Sequence, residues 1–159
     1  MLRGVRLAMD VGTVRIGIAK CDPDGMLAVP LETIAAGEGA IARAIEIIDE
    51  QRPIVVYVGN PINLNGAATQ STVAAIEFAQ AVASKLLQTP ELGAVSIRMI
   101  DERLSTVSAQ RGLHEAGRTH KTSREVIDQA AAIIILEHAL ESEKRQGEFV
   151  GREVVLTNE

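Results

Sequence analysis

The run Ile54-Val55-Val56-Tyr57-Val58, closed by Gly59, is apolar and mostly β-branched, with no polar residue at alternate positions. A strand with one wet face needs that alternation, so an unbroken run of this kind marks a strand covered on both sides. The cover is supplied from the flanks. Ile41, Ala44, Ile45 and Ile48 recur at helical spacing between glycines on one side and Arg52-Pro53 on the other, and an Ala-rich stretch from about Ala67 to Leu87 follows the strand. A chain built this way is α/β, with a sheet sandwiched by helices.

The remaining elements extend the pattern. Residues 5–10 and Ile16-Gly17-Ile18-Ala19 read as two strands joined tightly through Gly12, and Asp22-Pro23-Asp24-Gly25 turns the chain into a third, from about Leu27 to Ile34. Val95, Ile97 and Met99 mark a fifth strand that delivers Asp101-Glu102-Arg103 to its end. A helix is expected from Ser105 or Thr106 to Gly117. Thr122 and Glu125, at capping-box spacing, open a last helix through Val126-Ile127 and Ile133-Ile134-Ile135-Leu136. Polar residues from Glu141 onward predict fraying, with a domain over 1–146 and a tail over 147–159. The order predicts a mixed five-stranded sheet, its first three strands antiparallel, flanked by helices.

A chain of 159 residues suits one domain, and its 47% apolar content with 2% aromatic predicts an aliphatic core. Cys21, the single cysteine, has no partner in the chain; it is expected to be a buried small hydrophobe rather than a free surface thiol, in a reducing compartment. The N-terminus lacks a signal-peptide core and no apolar run nears the roughly 18 residues of a membrane helix, which predicts a cytoplasmic protein with no membrane partner. The net charge of −5 argues against indiscriminate coating of nucleic acid, yet residues 98–124 hold six lysines and arginines against three acids. A local basic site is compatible with an acidic whole.

Ligands of open α/β sheets gather at the carboxyl ends of strands, where Asp10 and Asp101-Glu102 fall. Isolated acids at the ends of buried elements suit Mg²⁺ or Mn²⁺, and paired divalent ions held by carboxylates can hydrolyse phosphodiesters. Asp10 precedes Val11-Gly12-Thr13, where glycine and a small hydroxyl allow close approach of phosphate or metal; its structural alternative is a turn cap. Glu102 is either a second ligand or a partner for Arg103. Asp128 shares a helical face with Ala131, Ala132 and Ile135 that should look inward, where an acid needs partners; a salt bridge to Arg124 is the competing role. His114 and His120 lack metal-ligand spacing, and neither a Walker A motif nor a dinucleotide fingerprint is present. With so few aromatics, recognition through phosphates and shape is expected rather than base stacking.

Four blocks in order carry a resemblance: Asp10-Val11-Gly12-Thr13-Val14-Arg15-Ile16-Gly17; Val58-Gly59-Asn60-Pro61 with Asn63 and Gly66; Asp101-Glu102-Arg103-Leu104-Ser105-Thr106; and Val126-Ile127-Asp128-Gln129-Ala130-Ala131-Ala132. Together they resemble the YqgF/RuvX family, described both as Holliday junction resolvases and as pre-16S rRNA nucleases. The resemblance implies an RNase H-like fold and a nuclease with Asp10, Glu102 and Asp128 as catalytic, metal-binding acids. The nucleic-acid contacts expected with them are Thr13, Arg15, Asn63, Arg103, Ser105, Thr106, Lys121 and Arg124. Implied partners are structured nucleic acid, either pre-rRNA or branched DNA, bound by a monomer or a homodimer. Asn60 and Asn65 depart from the family pattern, which has a large aliphatic and an acidic residue there. Two other classes compete. A phosphotransferase of the sugar-kinase and actin type would need a second lobe for which 159 residues leave no room, and a catalytically silent binding module would share the surface without the chemistry.

Overall fold

The computed structural model describes residues 2–60, 70–101 and 123–154, the side chains at 70–71 and 123–128 excepted. Six strands and three α-helices occur among them: β1 (Arg6–Val11), β2 (Arg15–Cys21), β3 (Ala28–Ala35), α1 (Ala40–Gln51), β4 (Val55–Asn60), α2 (Gln70–Leu87), β5 (Ser96–Asp101), α3 (Ser123–Gln146) and β6 (Arg152–Glu153). The expected helix from Ser105 or Thr106 to Gly117 lies outside the described residues. The sheet order is β3-β2-β1-β4-β5-β6. Strands β1, β2 and β3 are antiparallel neighbours, β1, β4 and β5 run parallel, and β6 is antiparallel to β5.

Central position explains the unbroken apolar run of β4. Val56 and Val58 join Leu7, Met9 and Ile18 in the core beneath α1 and α2, while Val55 and Tyr57 join Ala8 and Ala19 beneath α3. Strand alternation thus sends successive side chains into two separate cores, and both are dry. Helix α1 stops where Arg52, at φ 48°, returns its N–H to the Ile48 carbonyl at 2.8 Å, just before Pro53. Gly12 closes the β1–β2 hairpin, its N–H 2.9 Å from the Arg15 carbonyl; a Cβ there would stand 2.7 Å from that oxygen, so no larger residue fits without a shift.

The end of the chain departs from expectation. Residues from Glu141 continue α3 in regular turns, because Glu143 is 1% exposed and bound to a buried arginine. Residues 148–154, the described part of the segment expected to trail away, return to the sheet and make it six-stranded rather than five-stranded. The Val154 N–H meets the Ile97 carbonyl at 2.8 Å, and Arg98 donates to the Val150 and Gly151 carbonyls at 2.7 and 3.0 Å. Gly151 sits at φ 77° against Met99, a position any side chain would clash with.

Cys21 is 2% exposed at the end of β2. Burial raises its thiol pKa, a tendency that hydrogen bonding and charge from neighbouring Arg6 only partly oppose. Since the thiolate is the reacting form, burial and the raised pKa both slow alkylation. Thiol labelling of the native protein is expected to be far slower than in denaturant and to require α3 to open away from the sheet. Equal rates in the two conditions would refute the buried assignment.

Candidate active site

The parallel strands β1, β4 and β5 lie side by side and finish together, so Asp10, Asn60 and Asp101 stand along one edge of the sheet. Asp10 is half-buried and follows the alternation of Arg6 and Ala8, which places it on the face covered by α3. Asp101 follows Ile97 and Met99 onto the opposite face and is exposed. These two acids therefore share an edge without sharing a face. Glu102, the next residue, lies outside the described residues, as do Asn63, Arg103, Ser105, Thr106 and Lys121.

Glu143, late in helix α3, is bound to Arg6 at the start of β1, and the helix packs across β1, β2 and β3. Along it, Ala132, Ile135 and Ala139 form a stripe exposed by 0–1%. The face expected to look inward does so, although Ala131 at its margin is half-buried. Position 128 stands one turn before Ala132 on this stripe; the side chains of Asp128 and Arg124 are not among those described. Thr13 and Arg15 belong to the β1–β2 hairpin beside Asp10, Thr13 exposed and Arg15 half-buried, and the hairpin is fastened to the end of β3 by the Ala36 N–H on the Val14 carbonyl at 2.9 Å. Among the described residues, no three acids, histidines or cysteines assemble into a metal-binding group. An apolar hollow lined by Leu2, Pro53, Ile54, Leu92 and Phe149 sits at the far end of the sheet, away from these acids.

At that far end the structure holds a polar cluster that reading the sequence missed. Arg6 donates through Nε and Nη2 to the two carboxylate oxygens of Glu143, at 2.8 and 2.6 Å, with the residues 0% and 1% exposed. Its Nη1 and Nη2 also reach the Gly4 and Leu2 carbonyls at 2.6 and 2.5 Å, and the Tyr57 hydroxyl donates to Glu143 Oε1 at 3.1 Å. Burial alone would lower the Arg6 pKa, but the hydrogen bond and charge of Glu143 outweigh it and raise it. Burial, reinforced by the Glu143 charge, raises the Tyr57 pKa well above that of free tyrosine. The available signal was Arg6 itself, a charge inside the apolar strand Val5-Arg6-Leu7-Ala8-Met9.

Among the described residues, no helix is long and apolar enough to cross a membrane. The fold is RNase H-like: the structure aligns with T. thermophilus RuvC, solved in complex with a Holliday junction substrate, at a TM-score of 0.58 and 18% identity, covering 94% of this chain and 99% of that one. In sequence, the chain is 44% identical over 156 residues to a Streptomyces avermitilis relative named as a pre-16S rRNA nuclease, covering 97% of this chain and 96% of the relative. A Leifsonia xyli subsp. xyli relative of the same name is 48% identical over 146 residues, covering 91% and 90%. The family model described as "RuvX: Holliday junction resolvase" matches residues 4–142, and the chain belongs to that family.

Proposed function

We propose that this chain is a nuclease that hydrolyses phosphodiester bonds at the carboxyl ends of β1 and β5, with Asp10, Glu102 and Asp128 as its acids and the 5′ end of pre-16S ribosomal RNA as its substrate. The observation that carries the site is the placement of Asp10, half-buried at the end of a central strand, on the face covered by the helix that contains position 128. Asp101, on the other face, is the less suitable member of its pair, which favours Glu102. The ribosomal substrate rests on the names of the two relatives.

A donor set made of carboxylates alone fits a hard divalent cation, Mg²⁺ or Mn²⁺. Bound by Asp10, Glu102 and Asp128, such ions would supply an activated water and charge stabilisation for the leaving oxygen. The chain's other residues hold the polyanion. Thr13 and Arg15 on the hairpin, with Asn63, Arg103, Ser105, Thr106, Lys121 and Arg124, grip phosphates and offset the repulsion between substrate and acids. Replacing Lys121 or Arg124 with Ala is expected to weaken binding at every sequence and to flatten its salt dependence, the slope changing by about one for each phosphate no longer neutralised. Filter binding across a salt series checks this, and an unchanged slope removes that residue from the phosphate-binding set.

Resolution of a four-way DNA junction is the second reading, favoured by the description of the family model and by the fold shared with RuvC. It would need two active sites, hence a homodimer, whereas trimming of RNA can be done by a monomer. Cleavage of matched structured RNA and four-way DNA junctions, under identical Mg²⁺ and Mn²⁺ conditions, decides between them. RNA cut in preference to the junction is the expected result. Metal-independent binding of both without cleavage would instead identify a silent binding module. We place the protein in the cytoplasm, where its RNA substrate is made.

A further inference from the structure

We infer that the buried Arg6–Glu143 pair is a register key: it fixes how far α3 is slid along β1, and thereby sets the acid-bearing first half of the helix against Asp10. The two elements it joins are the two that carry Asp10 and Asp128, so the inference rests on the proposed site. Arg6 lies on the same strand and face as Asp10, about 13 Å away at the usual rise of an extended chain. Glu143 and position 128 lie on the same helix, about 22 Å apart. A constraint between Arg6 and Glu143 therefore fixes the axial position of the helix on the strand, while the packing of α3 across β1, β2 and β3 sets its crossing angle.

The surface between those elements is built mainly of apolar side chains. Ala8 and Ala19 on the sheet meet a helix stripe that includes Ala132 and Ala139, all 0% exposed. The same surface also holds Ile135, Leu136 and Leu140 of the helix with Val55 and Tyr57 of the sheet, so apolar packing contributes to the axial position and the ion pair adds a polar contact that only one register satisfies. A slip by one helical turn would move the helix about 5.4 Å, far beyond what a shared metal site tolerates. The pair is satisfied at one position. There Arg6 binds both oxygens of Glu143 and two backbone carbonyls, and the Tyr57 hydroxyl closes the cluster. A slipped helix would bury an arginine facing no carboxylate, a state costly enough to be excluded. Arg6, Glu143 and Tyr57 are accordingly positioning residues that touch neither substrate nor metal.

The test compares the wild type, Glu143→Gln, Arg6→Lys and the double variant Arg6→Met/Glu143→Leu. Each is assayed for thermal melting, single-turnover cleavage of the RNA that the wild type cuts, and Mn²⁺ binding by electron paramagnetic resonance. The double variant is expected to fold with a melting temperature near that of the wild type, yet to cut on the order of a hundredfold more slowly and bind Mn²⁺ at least about tenfold more weakly. Glu143→Gln keeps the shape of the side chain and should retain most of the rate despite a lower melting temperature. Wild-type kcat and Mn²⁺ affinity in a folded double variant overturn the inference. Should the double variant not fold, Arg6→Lys decides, because lysine cannot span both Glu143 oxygens and the two carbonyls. It should lose rate and Mn²⁺ affinity where Glu143→Gln does not, and equal kcat in the two overturns the key. A wild type that neither cuts nor binds Mn²⁺ defeats the nuclease assignment itself, and the inference with it.

Discussion

Asp10→Asn is expected to abolish cleavage while leaving the fold and the affinity for nucleic acid intact. Asparagine matches aspartate in shape and removes one negative charge, so the end of β1 and its pairing with β2 through Gly17 have no reason to change. What disappears is the proposed ligand for a divalent cation. Metal-assisted stabilisation of a phosphodiester transition state is worth several kcal/mol, and at about 1.36 kcal/mol per decade the rate should fall by on the order of a thousandfold or more. Binding should respond in the opposite sense. In metal-free buffer a carboxylate cluster repels phosphates, so the neutral variant is expected to hold the substrate at least as tightly as the wild type. Single-turnover cleavage and filter binding on the same preparations separate the two effects. If the variant, free of contaminating nuclease, cuts at the wild-type rate, Asp10 is not the metal ligand and the silent binding module becomes the better account.

The parts of this molecule that sequence conveyed are those governed by neighbours along the chain. The β-branched run at Val55–Val58 required cover on two faces and has it, and the 3.6-residue spacing around Ile41–Ile48 marked α1 to within a residue or two. Asp10 stood out because an acid closing an apolar strand is unusual on its own terms. The parts that escaped depend on partners distant in sequence. Arg6 looks like a break in an apolar strand until Glu143, 137 residues away, is seen to neutralise it, and Glu143 looks like the start of a polar tail for the same reason. Strand β6 is two residues long, too short for any periodicity, and is held by backbone pairing with β5 and by Arg98 reaching the carbonyls of Val150 and Gly151 just before it. The assignment of Glu102 over Asp101 is the intermediate case. The four-block resemblance named it, and what the fold adds concerns Asp101 alone, which alternates onto the face opposite Asp10 and is exposed.

Glu143→Ala is expected to destabilise the domain by about 3–5 kcal/mol, the usual consequence of stripping one partner from a buried ion pair. The carboxylate accepts three hydrogen bonds, two from Arg6 and one from Tyr57, and its removal leaves a guanidinium at 0% exposure facing a cavity. Neither compensation by water nor escape of the arginine is easy, because Arg6 is tethered to the Gly4 and Leu2 carbonyls beneath the end of α3. Domains of this class have a total stability of about 5–15 kcal/mol, and each kcal/mol shifts the midpoint by about 2–4 °C, so the melting temperature should drop by roughly 10 °C or more. Tyr57→Phe removes one neutral donor and should cost about 1 kcal/mol. The double replacement Arg6→Met/Glu143→Leu removes both charges together and should recover most of the stability, since a buried ion pair stabilises little relative to apolar residues of similar volume. The large coupling between the single changes, read from a double-mutant cycle in urea, is what distinguishes a desolvated pair from two independent interactions. A Glu143→Ala variant within about 1 kcal/mol of the wild type, the range of an exposed surface pair, would show that the cluster is hydrated and that α3 is held by its apolar stripe alone.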